Sequence, residues 1–208
     1  EDNQPSVEIH VGQGESEIPA QGYTLDRRRD DIAEFLGLYP KVVLIGWSLG
    51  ALECLHYVHA YGDGKVAGLI LVDSSVGEHP PPAEGNFTER LKGDRPRVIE
   101  AFVRAIFRTK RPPEEIRALV EGALRLPTQA SIDLLSYPPP REHWRDIAWA
   151  FHKPLAYVVT PQFAEQARNL ERHRPGTRIE VFERAGHALF VDEPQRFNAL
   201  VEDFVPGL

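Results

Sequence analysis

The chain has 208 residues, enough for one domain with a sizeable core and an inserted subdomain, and its 42% hydrophobic and 26% charged residues are ordinary for a globular protein. A formal charge of −7 argues against a nucleic-acid partner, because phosphate binding needs a basic surface. The single cysteine, Cys54, excludes an intrachain disulfide and a cysteine-based metal cluster, and no run approaches the roughly 20 apolar residues that a membrane helix requires.

The polar, acidic start from Glu1 to Ser6 does not read as a signal peptide. A soluble protein is expected, with the cytoplasm favoured as its setting. Val7 to Val11 is β-prone and runs into the turn signal Gly12-Gln13-Gly14. Thr24 suits the cap of a helix to about Leu36, with Leu25, Ile32, Phe35 and Leu36 on one face and Gly37 as its stop. Lys41 to Ile45 is a continuous apolar run, the pattern of a strand buried on both faces. Gly46-Trp47-Ser48-Leu49-Gly50 leads into a helix through about Tyr61, with Leu52, Leu55, Val58 and His59 spaced as a buried stripe and Gly62 as its end. Val66 to Val72 is a second buried strand and closes on Asp73-Ser74-Ser75. Strand, helix, strand with short connections predicts a parallel sheet.

Near Val76 the character changes. Residues 77–86 are rich in Pro and Gly. Amphipathic helices are expected at roughly 94–109, 113–126 and 128–136, the first with Ile99, Phe102, Val103, Ile106 and Phe107 as its apolar stripe, and Tyr137-Pro138-Pro139-Pro140 ends the block. The sheet pattern resumes with Leu155 to Val159, a helix over Phe163–His173, a strand at Arg178–Phe182 and a last helix over Pro194–Phe204. The expected organisation is an α/β core over residues 1–76 and 152–208, mostly parallel and flanked by helices, interrupted by a helical cap over 77–151.

Gly46-x-Ser48-x-Gly50 between a buried strand and a helix is the strongest chemical signal. A tight strand-to-helix turn strains the backbone of its middle residue, and glycines on either side allow neighbouring segments to approach. The serine hydroxyl then projects from the carboxyl edge of the sheet. The N–H of Leu49 points the same way at a helix N-terminus, where unpaired donors favour negative charge, and so supplies half of an oxyanion hole. Ala185-Gly186-His187 follows the last strand, where an imidazole can reach over the sheet edge as general base for Ser48. Of the remaining histidines, His56 and His59 fall inside a helix, His143, His152 and His173 at helix ends, His79 in a polar loop and His10 at the first turn.

This ordered set resembles the α/β-hydrolase superfamily, in its capped, serine-esterase-like branch. Four stretches carry the resemblance: Gly12-Gln13-Gly14-Glu15-Ser16, Gly22-Tyr23-Thr24-Leu25, Gly-Trp-Ser-Leu-Gly at 46–50, and Ala-Gly-His-Ala-Leu-Phe-Val-Asp-Glu-Pro at 185–194. The family most often carries its triad acid after the penultimate strand. Here that loop reads Thr160-Pro161-Gln162-Phe163-Ala164-Glu165, without an aspartate. Asp73, at the end of the strand after the nucleophile's, is the preferred acid, a position some relatives use; Glu165 is the alternative. Asp192 and Glu193 are read as the start of the last helix. The resemblance also implies strands ahead of those seen here. Upstream residues, another chain or Val7–Val11 would fill that place, and in the last case an N–H near Val11 or Gly12 is the second oxyanion donor.

The resemblance implies acyl transfer to water with no metal or organic cofactor. The expected substrate is a small or medium apolar carboxylic ester, with Trp47, Phe102, Ile106 and Trp144 as candidate pocket residues. A weakly catalytic or non-catalytic small-molecule-binding protein on the same fold is the alternative.

Overall fold

The computed structural model describes residues 16–83, 85–136 and 138–205. In chain order these form α1 (Leu25–Leu36), β1 (Val42–Trp47), α2 (Leu49–Tyr61), β2 (Val66–Val72), α3 (Phe87–Leu91), α4 (Arg95–Ala105), α5 (Pro113–Arg125), α6 (Thr128–Leu134), α7 (Arg141–Ala150), β3 (Leu155–Val159), α8 (Ala164–His173), β4 (Arg178–Val181), α9 (Leu189–Asp192) and α10 (Pro194–Phe204). Among the described residues the strands form one parallel sheet in the order β1-β2-β3-β4. Each strand is separated from the next by at least one helix, the connection that parallel pairing demands.

The period of 2 along the strands sorts their side chains into two cores. Leu69, Leu71, Leu155, Tyr157 and Val159 pack on one face with Ile32 and Leu36 of α1, Leu55 of α2, Trp144 and Ile147 of α7, and Leu170 of α8. Ile70, Val72, Ala156 and Val158 pack on the other with Phe182, with Leu189 of α9, and with Leu200 and Phe204 of α10. β3 is buried throughout, and β2 at all but Ala67. Such strands have no polar face to present, which is why their sequences are unbroken apolar runs.

α1 begins as its sequence predicts, with Thr24 Oγ1 accepting the N–H of Arg27 at 3.2 Å. Four other expectations need correction. β1 is not buried on both faces: Ile45 is 45% exposed, and β1 ends the order of the described strands. α2 carries no single stripe: Ala51 to Tyr57 are all buried, because the helix is wedged between the sheet, α1 and α7, whereas His59 is exposed. α4 ends at Ala105, since residues 106–109 leave the helix to bond elsewhere, and Phe102 is 42% exposed beside Phe87 rather than on the buried stripe. Finally, Pro138–Pro140 does not close the helical block. Pro140 precedes α7, where its fixed φ suits a helix start, and Trp144, Ile147 and Ala148 then fall on one buried face.

α3 to α6 have a core of their own, built from Leu91, Val98, Ile99, Val103 and Ile116. Tyr23, Leu126, Ala130 and Leu134 form a smaller cluster against which the side chain of Leu49 packs, at the start of α2.

Candidate active site

Three backbone N–H groups just past the strands continue the ladder: Ser48 donates to Val72 O at 2.9 Å, Asp73 to Val158 O at 2.8 Å, and Phe182 to Val159 O at 2.8 Å. Trp47 pairs in register with Val72, so Ser48 and Asp73 leave neighbouring strands at the same carboxyl rim. Both turn there with positive φ, 54° at Ser48 and 44° at Asp73, the only described residues other than glycine that do so. Backbone in this region costs about 1–3 kcal/mol and is concentrated at functional sites. At Ser48 (ψ −119°) it converts strand to helix within one residue.

Gly46 makes that turn possible. A Cβ there would lie 2.4 Å from Gly50 O and 2.7 Å from Ala51 Cα, so the strand and the first turn of α2 touch backbone to backbone. Gly50 does not share this role: among the described residues nothing comes within 4 Å of where its Cβ would stand. The first N–H groups of α2 have no intrahelical acceptor, and that of Leu49 follows Ser48 directly at the positive end of the helix.

His187 reaches the same rim from the segment between β4 and α9. Its Nδ1 lies 2.8 Å from Asp73 Oδ2. Asp73 is 1% exposed, and its other oxygen, Oδ1, accepts the N–H of Thr160 at 2.7 Å. A buried carboxylate is costly unless its oxygens are satisfied, and here both are. With Asp73 accepting at Nδ1, the neutral imidazole carries its proton there and keeps a lone pair at Nε2. The segment itself is held closely. Trp47 Nε1 donates to His187 O at 2.8 Å, and the indole packs 5.0 Å from the imidazole and 5.2 Å from Phe190. Tyr157, entirely buried, donates to Ser74 O at 2.6 Å; burial, and then the charge of Asp73, hold its phenol well above the ordinary tyrosine range.

The structure therefore gathers Ser48, Leu49, Asp73 and His187 at one rim. Glu165 lies in the first turn of α8 and is exposed; among the described residues the carboxylate on His187 is that of Asp73. Trp47 flanks His187. Ile106 is buried, and its carbonyl accepts the N–H of Ala188 at 2.8 Å. Phe102 sits with Phe87, and Trp144 packs against His56 and His143 on the side where α7 meets α2. Val11 and Gly12 lie outside the described residues. A hollow of about 560 Å³ between α2 and α7, lined by residues including His59, His143 and Phe151, is remote from Ser48, near the far end of α2. Among the described residues no cluster of His, Cys, Asp or Glu is arranged to hold a metal ion, and no helix is long and apolar enough to cross a membrane.

Sequence reasoning missed three features of this site. The Thr160 N–H that holds Asp73 carries no side-chain signal. Leu126, Ala130 and Leu134, which pack with Leu49, read only as a helix face. Asp192 does not start the last helix; it ends α9, and its carboxylate takes the N–H of Gly186 at 2.7 Å and those of Arg108 and Thr109 at 2.8 and 2.9 Å.

A nucleophile-type turn, a helix N-terminus and a carboxylate–imidazole pair on the carboxyl edge of a parallel sheet define the α/β-hydrolase class of fold. An esterase from Exiguobacterium antarcticum superposes with a TM-score of 0.80 at 23% identity, covering 94% of this chain and 79% of that one. A bromoperoxidase from Bacillus anthracis does so with a TM-score of 0.82 at 17% identity, again over 94% and 79%. The model of the alpha/beta hydrolase family matches residues 10–200, and the chain belongs to that family. In sequence it is 26% identical over 212 residues to a pimeloyl-[acyl-carrier protein] methyl ester esterase of Neisseria meningitidis, covering 94% of this chain and 81% of the relative.

Proposed function

We propose that this protein is a serine hydrolase of the carboxylesterase type, cleaving small or medium apolar esters through an acyl-enzyme. The observation that carries the reading is the 2.8 Å bond between His187 Nδ1 and the buried carboxylate of Asp73, beside a serine at φ 54° on the next strand. Names of relatives such as the methyl ester esterase add support.

In the reaction, His187 Nε2 takes the proton of Ser48 Oγ as Oγ bonds to the ester carbonyl carbon. The carbonyl π pair moves to oxygen, which the Leu49 N–H and the α2 terminus stabilise. Asp73 holds the imidazolium that forms. Collapse of the tetrahedral species breaks the bond to the alkoxy oxygen, which leaves as alcohol with the proton from Nε2. Water, deprotonated in turn by His187, hydrolyses the acyl-enzyme and restores Ser48.

The cap expected over 77–151 narrows to the stretch from α3 to α6, because Trp144, Ile147 and Ala148 of α7 pack in the core of the sheet. The separate core of α3 to α6 supports this, as does the packing of Leu49 with Leu126, Ala130 and Leu134, which sets apolar side chains beside the nucleophile. Such walls favour an apolar acyl group. The test is turnover of p-nitrophenyl acetate and butyrate by the full chain. Hydrolysis that vanishes in Ser48→Ala supports the reading. A folded wild-type chain that turns over neither ester and binds small apolar molecules unchanged would mark a binding protein instead.

A further inference from the structure

We infer that Asp192 is a positioning residue for the base, tying the placement of His187 to the segment that leaves α4. The inference rests on the serine-hydrolase reading above. Three successive backbone groups around His187 are pinned. The N–H of Gly186 donates to Asp192 Oδ2 at 2.7 Å, His187 O accepts the Trp47 indole at 2.8 Å, and the N–H of Ala188 donates to Ile106 O at 2.8 Å. The same Asp192 carboxylate reaches across to residues 108–109. Oδ2 also accepts the Arg108 N–H at 2.8 Å, and Oδ1 accepts both the N–H of Thr109, at 2.9 Å, and its hydroxyl. One side chain thus joins the segment that carries His187 to main-chain groups 84 and 83 positions away from Asp192.

The fit between those stretches leaves no slack. A Cβ on Gly186 would fall 2.6 Å from Ile106 O and 2.9 Å from Arg108 N. Burial alone would raise the Asp192 carboxyl, but the bonds from the Thr109 hydroxyl and from the N–H groups of Arg108, Gly186 and Thr109 outweigh it and hold the group below the usual carboxylate range. An anion with four donors converging on it is therefore the resting state of this joint. Asp73 fixes the imidazole ring, Asp192 fixes the backbone that carries it, and the seat of residues 106–109 sets where that backbone lies.

Asp192→Asn tests this, because an amide must aim its NH₂ at N–H donors on one side of the group. The expected result is a fall in kcat of about 10- to 100-fold with KM nearly unchanged, the signature of a misplaced group. Asp192→Glu, which restores an anion, recovers part of the loss. A merely structural residue would lower Tm yet leave kcat intact in the folded protein at 25 °C. Should Asp192→Asn not fold, Thr109→Val removes only the hydroxyl donor, and a kcat loss of about 3-fold at constant KM is expected. Reaction of each chain with a fluorophosphonate separates two failures. Wild type that does not react at Ser48 brings down the serine-hydrolase reading. Wild type that reacts at Ser48, with Asp192→Asn (or, should that variant not fold, Thr109→Val) folded and equal to it in kcat, overturns the positioning role alone.

Discussion

A single histidine at the sheet rim and a cluster of three on the α2–α7 side differ in what surrounds them. At the sheet rim, His187 meets a carboxylate that is 1% exposed and whose second oxygen is taken by a backbone N–H. On the α2–α7 side, His56, His59 and His143 stand with ring centres 4.7 to 6.4 Å apart. There the acid is Asp26, 2.7 Å from His56 but with its side chain 70% exposed and shared with Arg29. His143 Nε2 has no hydrogen-bond partner among the described residues. Burial, and then the neighbouring charges of His59 and His56, push the His143 imidazole below its usual range. The difference teaches that proximity of titratable groups is not what makes chemistry. The rim adds a desolvated, fully bonded acid, a ring with its backbone pinned, and a hydroxyl presented by a strained turn.

The largest expected effect breaks the rim. Asp73→Asn removes the anion that fixes the imidazole and should lower kcat for p-nitrophenyl butyrate on the order of 10⁴-fold, while Glu165→Gln should leave it within about 2-fold. Equal losses in the two variants would contradict the assignment of the acid. Next, Gly46→Ala drives a methyl into the Gly50 backbone and should cost about 1–3 kcal/mol of stability, read as a lower Tm and a shift in the denaturant midpoint. A Tm equal to that of wild type would show that the turn has room this geometry denies it.

The histidine cluster supplies the smallest effects, and they sharpen the contrast. His143→Gln and His56→Gln should keep kcat within about 2-fold, since neither ring lies at the rim. Stability should respond to pH instead. His143 has a folded-state pKa below its ordinary value of 6.5, so the unfolded chain binds the proton first as pH falls. Its contribution is complete above 6.5 and is lost as pH drops through the lower, folded value. Tm measured from about pH 7.5 down to about 5.5 should therefore fall more for wild type than for His143→Gln.

What the sequence discloses about this site follows from how local each feature is. Ser48 and His187 sit in short motifs at strand ends, so their places on the rim can be read from the order of strands and turns. The sequence prefers Asp73 yet leaves Glu165 as an alternative, because which one faces His187 depends on the depth of a strand end against the start of a helix. Asp192 was hidden for a stronger reason: its donors at 108 and 109 are main-chain groups more than 80 positions away, and main-chain donors leave no trace in residue identity. The Pro138–Pro140 run misled for the opposite reason, since proline ends a helix and also suits the start of one. β1 reads like β2 in composition, yet exposure differs because neighbours, not propensity, decide what is covered.

The central claim is that Ser48 is made nucleophilic by an imidazole which Asp73 holds. Peptide mapping by tandem mass spectrometry after brief exposure to a fluorophosphonate, run in parallel on wild type and Asp73→Asn, addresses it in one step. The account predicts a single adduct on Ser48, formed far more slowly in the variant. An adduct on another residue, or labelling of Ser48 at the same rate in both chains, would contradict it.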